Sequence, residues 1–181
     1  LGNPKPRIFR LEKDQALINR LGFNNHGSEI IFKRISENQP DGFLGINIGP
    51  NKDTKNKEED YFICLSRLSN DSDYITINIS SPNTKGLRNF HNQEEMKRLL
   101  TGLNKIKKEK NIEQPIAIKI SPDIGEENIE RIVELVKSQK IQGIIGSNTT
   151  DNNRENLSDI KKNEDGGLSG PVSYTHLTLP T

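Results

Sequence analysis

A single cysteine, Cys64, stands among the 181 residues. It excludes a disulfide within the chain and leaves the cytosol as the default compartment. Its setting in DYFICLSRL reads as a packed helix position. An excess of either charge is also lacking. The formal net charge is +1, with Lys and Arg interspersed among Asp and Glu as on a solvated surface, so no nucleic-acid partner is implied. The one dense basic run, residues 105–110, reads as an exposed helix end. No apolar run approaches the roughly 18 residues of a membrane span, and no signal-peptide pattern opens the chain. The histidines, His26, His91 and His176, lack ligand spacing, so no metal is expected. The first residue is Leu1 rather than Met, which reads as a piece of a longer chain.

The hydrophobic content of 30% is enough for a core. Apolar, β-branched runs at residues 43–48, 74–79, 116–120 and 143–146 read as strands. Between them lie segments of helical period. Residues 94–108 place Met96, Leu99, Leu100, Leu103 and Ile106 on one face, and residues 126–137 do the same with Ile129, Ile132, Val133 and Val136. Glu126 and Glu127 suit the positive end of a helix dipole. Ser28 is placed to cap a short helix carrying Ile30, Ile31 and Ile35, and residues 60–68 carry a weaker helical pattern. Strands apolar on both faces and separated by helices predict a parallel sheet covered by helices.

The strand ends share a further detail. LGINIGPN, ITINISSPN and IAIKISPD each set one polar residue in an isoleucine frame, followed by small residues and proline. The polar residues are Asn47, Asn78 and Lys119, with Ser147 of IIGSNTT in the fourth place. Intervals of roughly 30 to 40 residues suit successive strand–helix units. Parallel strands bring their carboxyl ends to one side, where equivalent side chains line one pocket. Ser-Pro-Asn is also ordinary turn chemistry. A buried amide without a partner, however, costs about 1–3 kcal/mol, and three such frames are hard to assign to turns. Asn78, Ser81 and Asn83 therefore sit where a strand delivers side chains to a shared site.

Taken in order, NPKPRIFRL, ALINRLGFNNHG, GFLGINIGPNKDT, ITINISSPNTKGLR, PIAIKISPD, SNTT and GGLSG resemble the dihydroorotate dehydrogenase family, specifically its quinone-linked class. The resemblance covers residues 3–170. It implies an α/β fold, the (β/α)₈ TIM barrel, here incomplete: about four central strand–helix units plus an N-terminal excursion. It further implies FMN at the carboxyl ends of the strands and oxidation of dihydroorotate to orotate in pyrimidine synthesis, with quinone as acceptor.

Carried over by position, the resemblance assigns substrate binding to Asn19, Arg20, Leu21, Gly22 and Phe23, largely through backbone, and to Asn78, Asn83, Asn148 and Thr149. Amides supply the neutral donors and acceptors that orotate's ring requires. FMN contacts fall on Asn47, Asn78, Lys119, Ser147 and Gly170, with the Lys119 ammonium placed to stabilise negative charge on the flavin. A snorkelling or salt-bridged lysine is the alternative at that position. Ser81 is the expected catalytic base, taking the C5 proton of dihydroorotate while C6 gives up a hydride. A serine is a poor base alone, so Thr84 or a trapped water is expected to pass the proton on. Residues 84–88, with Gly86 as hinge, are expected to cover the substrate.

The cytosolic class carries Cys where Ser81 stands, so Ser81 points to the quinone-linked class. The family's first strands, a glycine-rich FMN loop and helices leading to membrane and quinone are expected before Leu1. Membrane association, peripheral and on the cytoplasmic side of the inner membrane in a bacterium, is expected only through those helices. Residues 1–170 thus read as a partial barrel, and residues 171–181 as a non-family tail of read-through origin. About half a barrel has open sheet edges and is expected to be inactive alone. A non-catalytic flavin- or pyrimidine-binding module and a cytosolic-class enzyme are the alternative readings.

Overall fold

The computed structural model describes residues 2–84 and 86–171. Lys85 of the expected covering loop, His176 and the expected tail from residue 172 onward lie outside the described residues.

The chain opens with β1 (Ile8–Leu11) and β2 (Ala16–Asn19). Helix α1 (Ser28–Glu37) leads to β3 (Gly45–Ile48), α2 (Lys57–Leu68), β4 (Tyr74–Asn78), α3 (Gln93–Lys110), β5 (Ile116–Ile120), α4 (Glu126–Ser138), β6 (Gly143–Gly146) and a short β7 (Gly167–Ser169). Strands β3, β4, β5 and β6 pair in that order, all parallel. The expected strand–helix alternation is therefore present, as an open arc of an α/β barrel.

The isoleucine frames dictate how the arc packs. Ile46, Ile48, Ile75, Ile77, Ile116 and Ile118 face Tyr61 and Leu65 of α2, Leu99, Leu100 and Leu103 of α3, and Ile132 and Val136 of α4. Each such side chain contributes about 1.5–3 kcal/mol on burial. The alternate residues occupy the other face, which no helix covers. Asn47 is exposed and Lys119 half-buried there, so β3 and β5 are apolar on one face only, contrary to the sequence expectation.

Helix starts follow their caps. Asn56 caps α2, accepting from the Glu59 amide at 3.4 Å, so this helix begins before residue 60. Ser28 does not cap α1. It is the first residue of the helix, and its hydroxyl accepts from Arg67 of α2 at 2.6 Å, a partner 39 residues away. On α4, Leu135 is buried where Ile129 was expected, and Ile129 is exposed. The basic end of α3 is not wholly solvated, because Lys107 donates to the Gln114 carbonyl at 2.5 Å.

A second, antiparallel sheet of order β1–β2–β7 completes the fold. It buries Phe9, Leu11, Ile18, Leu157 and Leu168 in a core of its own. It is tied to the parallel arc through the loop after β6, where Thr150 and Leu168 exchange backbone hydrogen bonds, one of them at 3.0 Å.

The buried Tyr61 hydroxyl donates to the Asn78 carbonyl at 2.6 Å, reaching from α2 to the last residue of β4. Burial raises its phenol pKa well above the usual value. Tyr61→Phe removes that donor and is expected to destabilise the full-length protein carrying this segment by about 1–3 kcal/mol. Urea unfolding reads the effect, and an unchanged midpoint would show that the hydroxyl carries no stability.

Candidate active site

Register places the polar residues of the strand ends. In a parallel ladder, paired residues share a face, as do residues two apart in one strand. Asn78 pairs directly with Lys119, and Asn47 pairs with Thr76, two residues before Asn78. Asn47, Asn78 and Lys119 therefore share the face opposite the helices. Lys119 in turn pairs with Ile145, two residues before Ser147, which follows the end of β6. The line of polar residues climbs by two residues from β3 to β4 and again from β5 to β6, and stays level from β4 to β5, the stagger of strands tilted about a barrel axis.

Neither the Asn47 amide nor the Lys119 ammonium has a hydrogen-bond or ion-pair partner among the described residues. Asn78, by contrast, is buried and engaged. Its Oδ1 accepts from the Ser80 amide at 3.1 Å and from the Ser80 hydroxyl at 2.8 Å. The same Ser80 Oγ accepts from Asn148 Nδ2 at 2.8 Å, joining the loops after β4 and β6. Asn148 Oδ1 accepts from the Thr149 amide at 2.8 Å. Ser80 was not singled out in the sequence. The only signal was the serine doublet, because its partner Asn148 lies 68 residues on.

Ser81 is buried, and its Oγ accepts from the Asn83 amide at 3.2 Å. A donor aimed at a hydroxyl oxygen favours negative charge there. Thr84 is buried too, but no hydrogen bond joins it to Ser81 among the described residues. Gly86 has φ +72°, the left-handed conformation expected of a turn glycine, and starts the 3₁₀ turn Leu87–His91.

The segment from Asn19 to Phe23 crosses the mouth of the arc. Asn83 Nδ2 donates to the Asn19 carbonyl at 3.0 Å, holding the end of β2 against the loop after β4. At the other end, Phe23 lies against Gly49, just beyond β3. Asn19 Oδ1 accepts from the Leu21 amide at 3.5 Å. The Arg20 side chain stacks on Phe9 and pairs with Glu164 at 3.1 Å, so it belongs to the antiparallel sheet's surroundings. Gly22 has φ +66°.

Two glycines fix how closely β7 approaches. A Cβ at Gly167 would overlap Thr149 Oγ1, so glycine lets β7 pack directly on this expected substrate residue. Gly170, with φ +141°, has room for no Cβ beside Ala16. The position of Gly170 is set by the antiparallel sheet rather than by the parallel strand ends that carry Asn47, Lys119 and Ser147.

His91 supports the site from behind. Its Nε2 accepts from the Ser121 amide at 3.5 Å, after β5. Burial and the neighbouring Arg88 lower its pKa to about 4. A depressed histidine pKa costs folded-state stability as pH falls from about 6.5 towards 4, because the unfolded chain takes up a proton that the folded chain refuses. Replacement by His91→Gln is expected to flatten this slope in unfolding midpoints measured at pH 7 and pH 5. Equal slopes in parent and variant would show that His91 protonates freely.

Among the described residues, no group of three or more His, Cys, Asp or Glu is placed to hold a metal ion. None of their helices is long and apolar enough to cross a membrane.

Comparison with known proteins agrees with this architecture. The family profile described as dihydroorotate dehydrogenase matches residues 1–175. The chain is 41% identical to a protein of Bartonella tribocorum named dihydroorotate dehydrogenase (quinone), over 99% of this chain and 51% of that protein. It is 42% identical to the protein of the same name in Brucella ovis, over 98% and 50%. The chain thus spans about half the length of the curated relatives it matches. The crystal structure of DHODH from Eimeria tenella in complex with ferulenol superposes with a TM-score of 0.87 at 33% identity, covering 97% of this chain and 57% of that one. The ligand-free form of the Eimeria protein gives the same TM-score at 36% identity, covering 94% and 54%. The chain belongs to the dihydroorotate dehydrogenase family.

Proposed function

We propose that this member of the dihydroorotate dehydrogenase family carries the proton-accepting, substrate-orienting part of an FMN-dependent enzyme that oxidises dihydroorotate to orotate, with quinone as electron acceptor, in pyrimidine synthesis. The observation that carries the reading is the convergence of Ser81, Asn83 and Asn148 at the ends of β4 and β6, with the 19–23 segment held against them by Asn83.

The chemistry follows from these groups. Asn19, Asn78, Asn83, Asn148 and Thr149, with the backbone of Arg20, Leu21, Gly22 and Phe23, offer uncharged donors and acceptors to a planar ring bearing carbonyls and N–H groups. Ser81 Oγ takes the proton from C5, and the Asn83 amide stabilises the charge that gathers on that oxygen. The proton then leaves through Thr84 or a water. The absence of a direct Ser81–Thr84 bond favours the water.

The fit to a flavin rests on the uncommitted side chains of Asn47 and Lys119, which share one face with Asn78. Asn47, Asn78, Lys119 and Ser147, together with Gly170 from the antiparallel sheet, would hold FMN. Once bound, FMN supplies the hydride acceptor. The Lys119 ammonium would stabilise negative charge on the reduced flavin. Contact with quinone and a peripheral place on the membrane, on the cytoplasmic side of the inner membrane in a bacterium, are assigned to parts of the full-length protein outside this segment.

The test is dihydroorotate-dependent quinone reduction by the purified full-length flavoprotein, with orotate followed by its absorbance. Orotate formation with quinone supports the reading. Turnover with a water-soluble acceptor but not with quinone would favour a cytosolic-class enzyme, against which Ser81 speaks. Orotate binding without turnover under any acceptor would leave only a binding module.

A further inference from the structure

We propose that Arg88 is a positioning residue that latches the Ser81-bearing loop onto the loops following β5 and β6. The guanidinium reaches all three strand ends at once. Its Nε donates to the Ser80 carbonyl at 3.3 Å, within the loop after β4. Toward the loop after β5, Nη2 pairs with Asp123 at 3.0 Å. Toward the loop after β6, Nη1 pairs with Asp151 at 2.8 Å, and Nη2 donates to the Thr149 carbonyl at 3.4 Å.

Each anchor is itself held. Asp123 accepts from the Thr150 hydroxyl and, at 3.3 Å, from the Asp151 amide. Burial pushes the Asp151 carboxyl pKa up, but hydrogen bonds to Asp123 and Arg88 and the adjacent Arg88 charge together outweigh it and hold the carboxyl below its ordinary value. Isolated surface ion pairs contribute little. Here the Asp123 side chain is only 12% exposed, and one planar fork serves two carboxylates and two backbone carbonyls. A lysine carries the same charge but lacks that fork. Ser80 adjoins the expected base, and Thr149 is an expected substrate residue. The latch therefore sets the distance between the two sides of the site. Its catalytic consequence rests on the proposed function, whereas the latch itself does not.

Two readouts separate these claims in the full-length flavoprotein carrying Arg88→Lys or Asp151→Asn. Without substrate, hydrogen exchange at the bonded backbone amides of Ser80, Asn83 and Leu87 is expected to quicken by about 10- to 100-fold, the range for losing a hydrogen bond to a charged group. Unchanged exchange in both variants would overturn the latch, whatever the enzyme's activity. In turnover, Arg88→Lys is expected to raise KM for dihydroorotate and lower kcat while flavin content stays at the parental level. Arg88→Ala should regain part of its rate when guanidinium ion is added at millimolar concentration. Parental kcat and KM in Arg88→Lys would overturn the positioning role. A parent protein that does not bind orotate would refute the proposed function and leave the exchange result to judge the latch.

Discussion

Ser81→Ala in the full-length protein is expected to slow dihydroorotate oxidation by about 10²–10⁴-fold, the usual contribution of a positioned general base. The side chain is small and its Oγ accepts only the Asn83 amide at 3.2 Å among the described residues, so the loop loses one local turn bond. The amides of Asn78 and Asn148 remain tied together through Ser80. Orotate affinity should consequently stay close to the parental value, and the loss should fall on kcat. Ser81→Cys is expected to retain part of the rate, more at high pH, because a thiolate accepts a proton. A Ser81→Ala protein that binds orotate poorly but turns over at the parental rate once saturated would make Ser81 a binding residue and place the base elsewhere.

Asn83→Ala should produce the opposite division. Its side chain bonds the Asn19 carbonyl at 3.0 Å, while its backbone amide serves Ser81. Alanine removes the first interaction and keeps the second. The 19–23 segment then loses its tie to the loop after β4, and the substrate loses an amide partner. Leaving buried polar groups unpaired costs about 1–3 kcal/mol, so orotate affinity is expected to fall by roughly 5- to 150-fold. FMN content should not change. Titration of the flavin spectrum with orotate measures this, and a dissociation constant within twofold of the parent would remove Asn83 from the site.

These two residues were legible in the sequence because the parallel strands announce themselves. An Ile-x-Ile frame that must face helices leaves its polar residue on the other side, and the following serine, proline and asparagine at the strand's carboxyl end. The same logic located β4 and β5 to within a residue. The antiparallel sheet was not legible. Its strands are three or four residues long, and β2 pairs with β7 through Asn19 and Gly167, far apart in the chain. Local periodicity carries no trace of such pairing. The partners of Arg88 and Ser28 were hidden for the same reason, since a carboxylate 35 residues away engages Arg88 and a guanidinium 39 residues away engages Ser28. Neither cap is read correctly from the sequence: its pattern begins α2 at residue 60 and misses the cap Asn56, and it makes Ser28 the cap of α1, whereas Ser28 is that helix's first residue and its hydroxyl is taken by Arg67 of α2.

The most direct measurement is anaerobic single-turnover reduction of the flavin by dihydroorotate, in the full-length protein and in its Ser81→Ala form. The parent is expected to bleach the flavin within its turnover time and release one orotate per flavin, and the variant to bleach about 10²–10⁴-fold more slowly. Equal rates in the two proteins, or a parent whose flavin dihydroorotate leaves oxidised, would contradict the account.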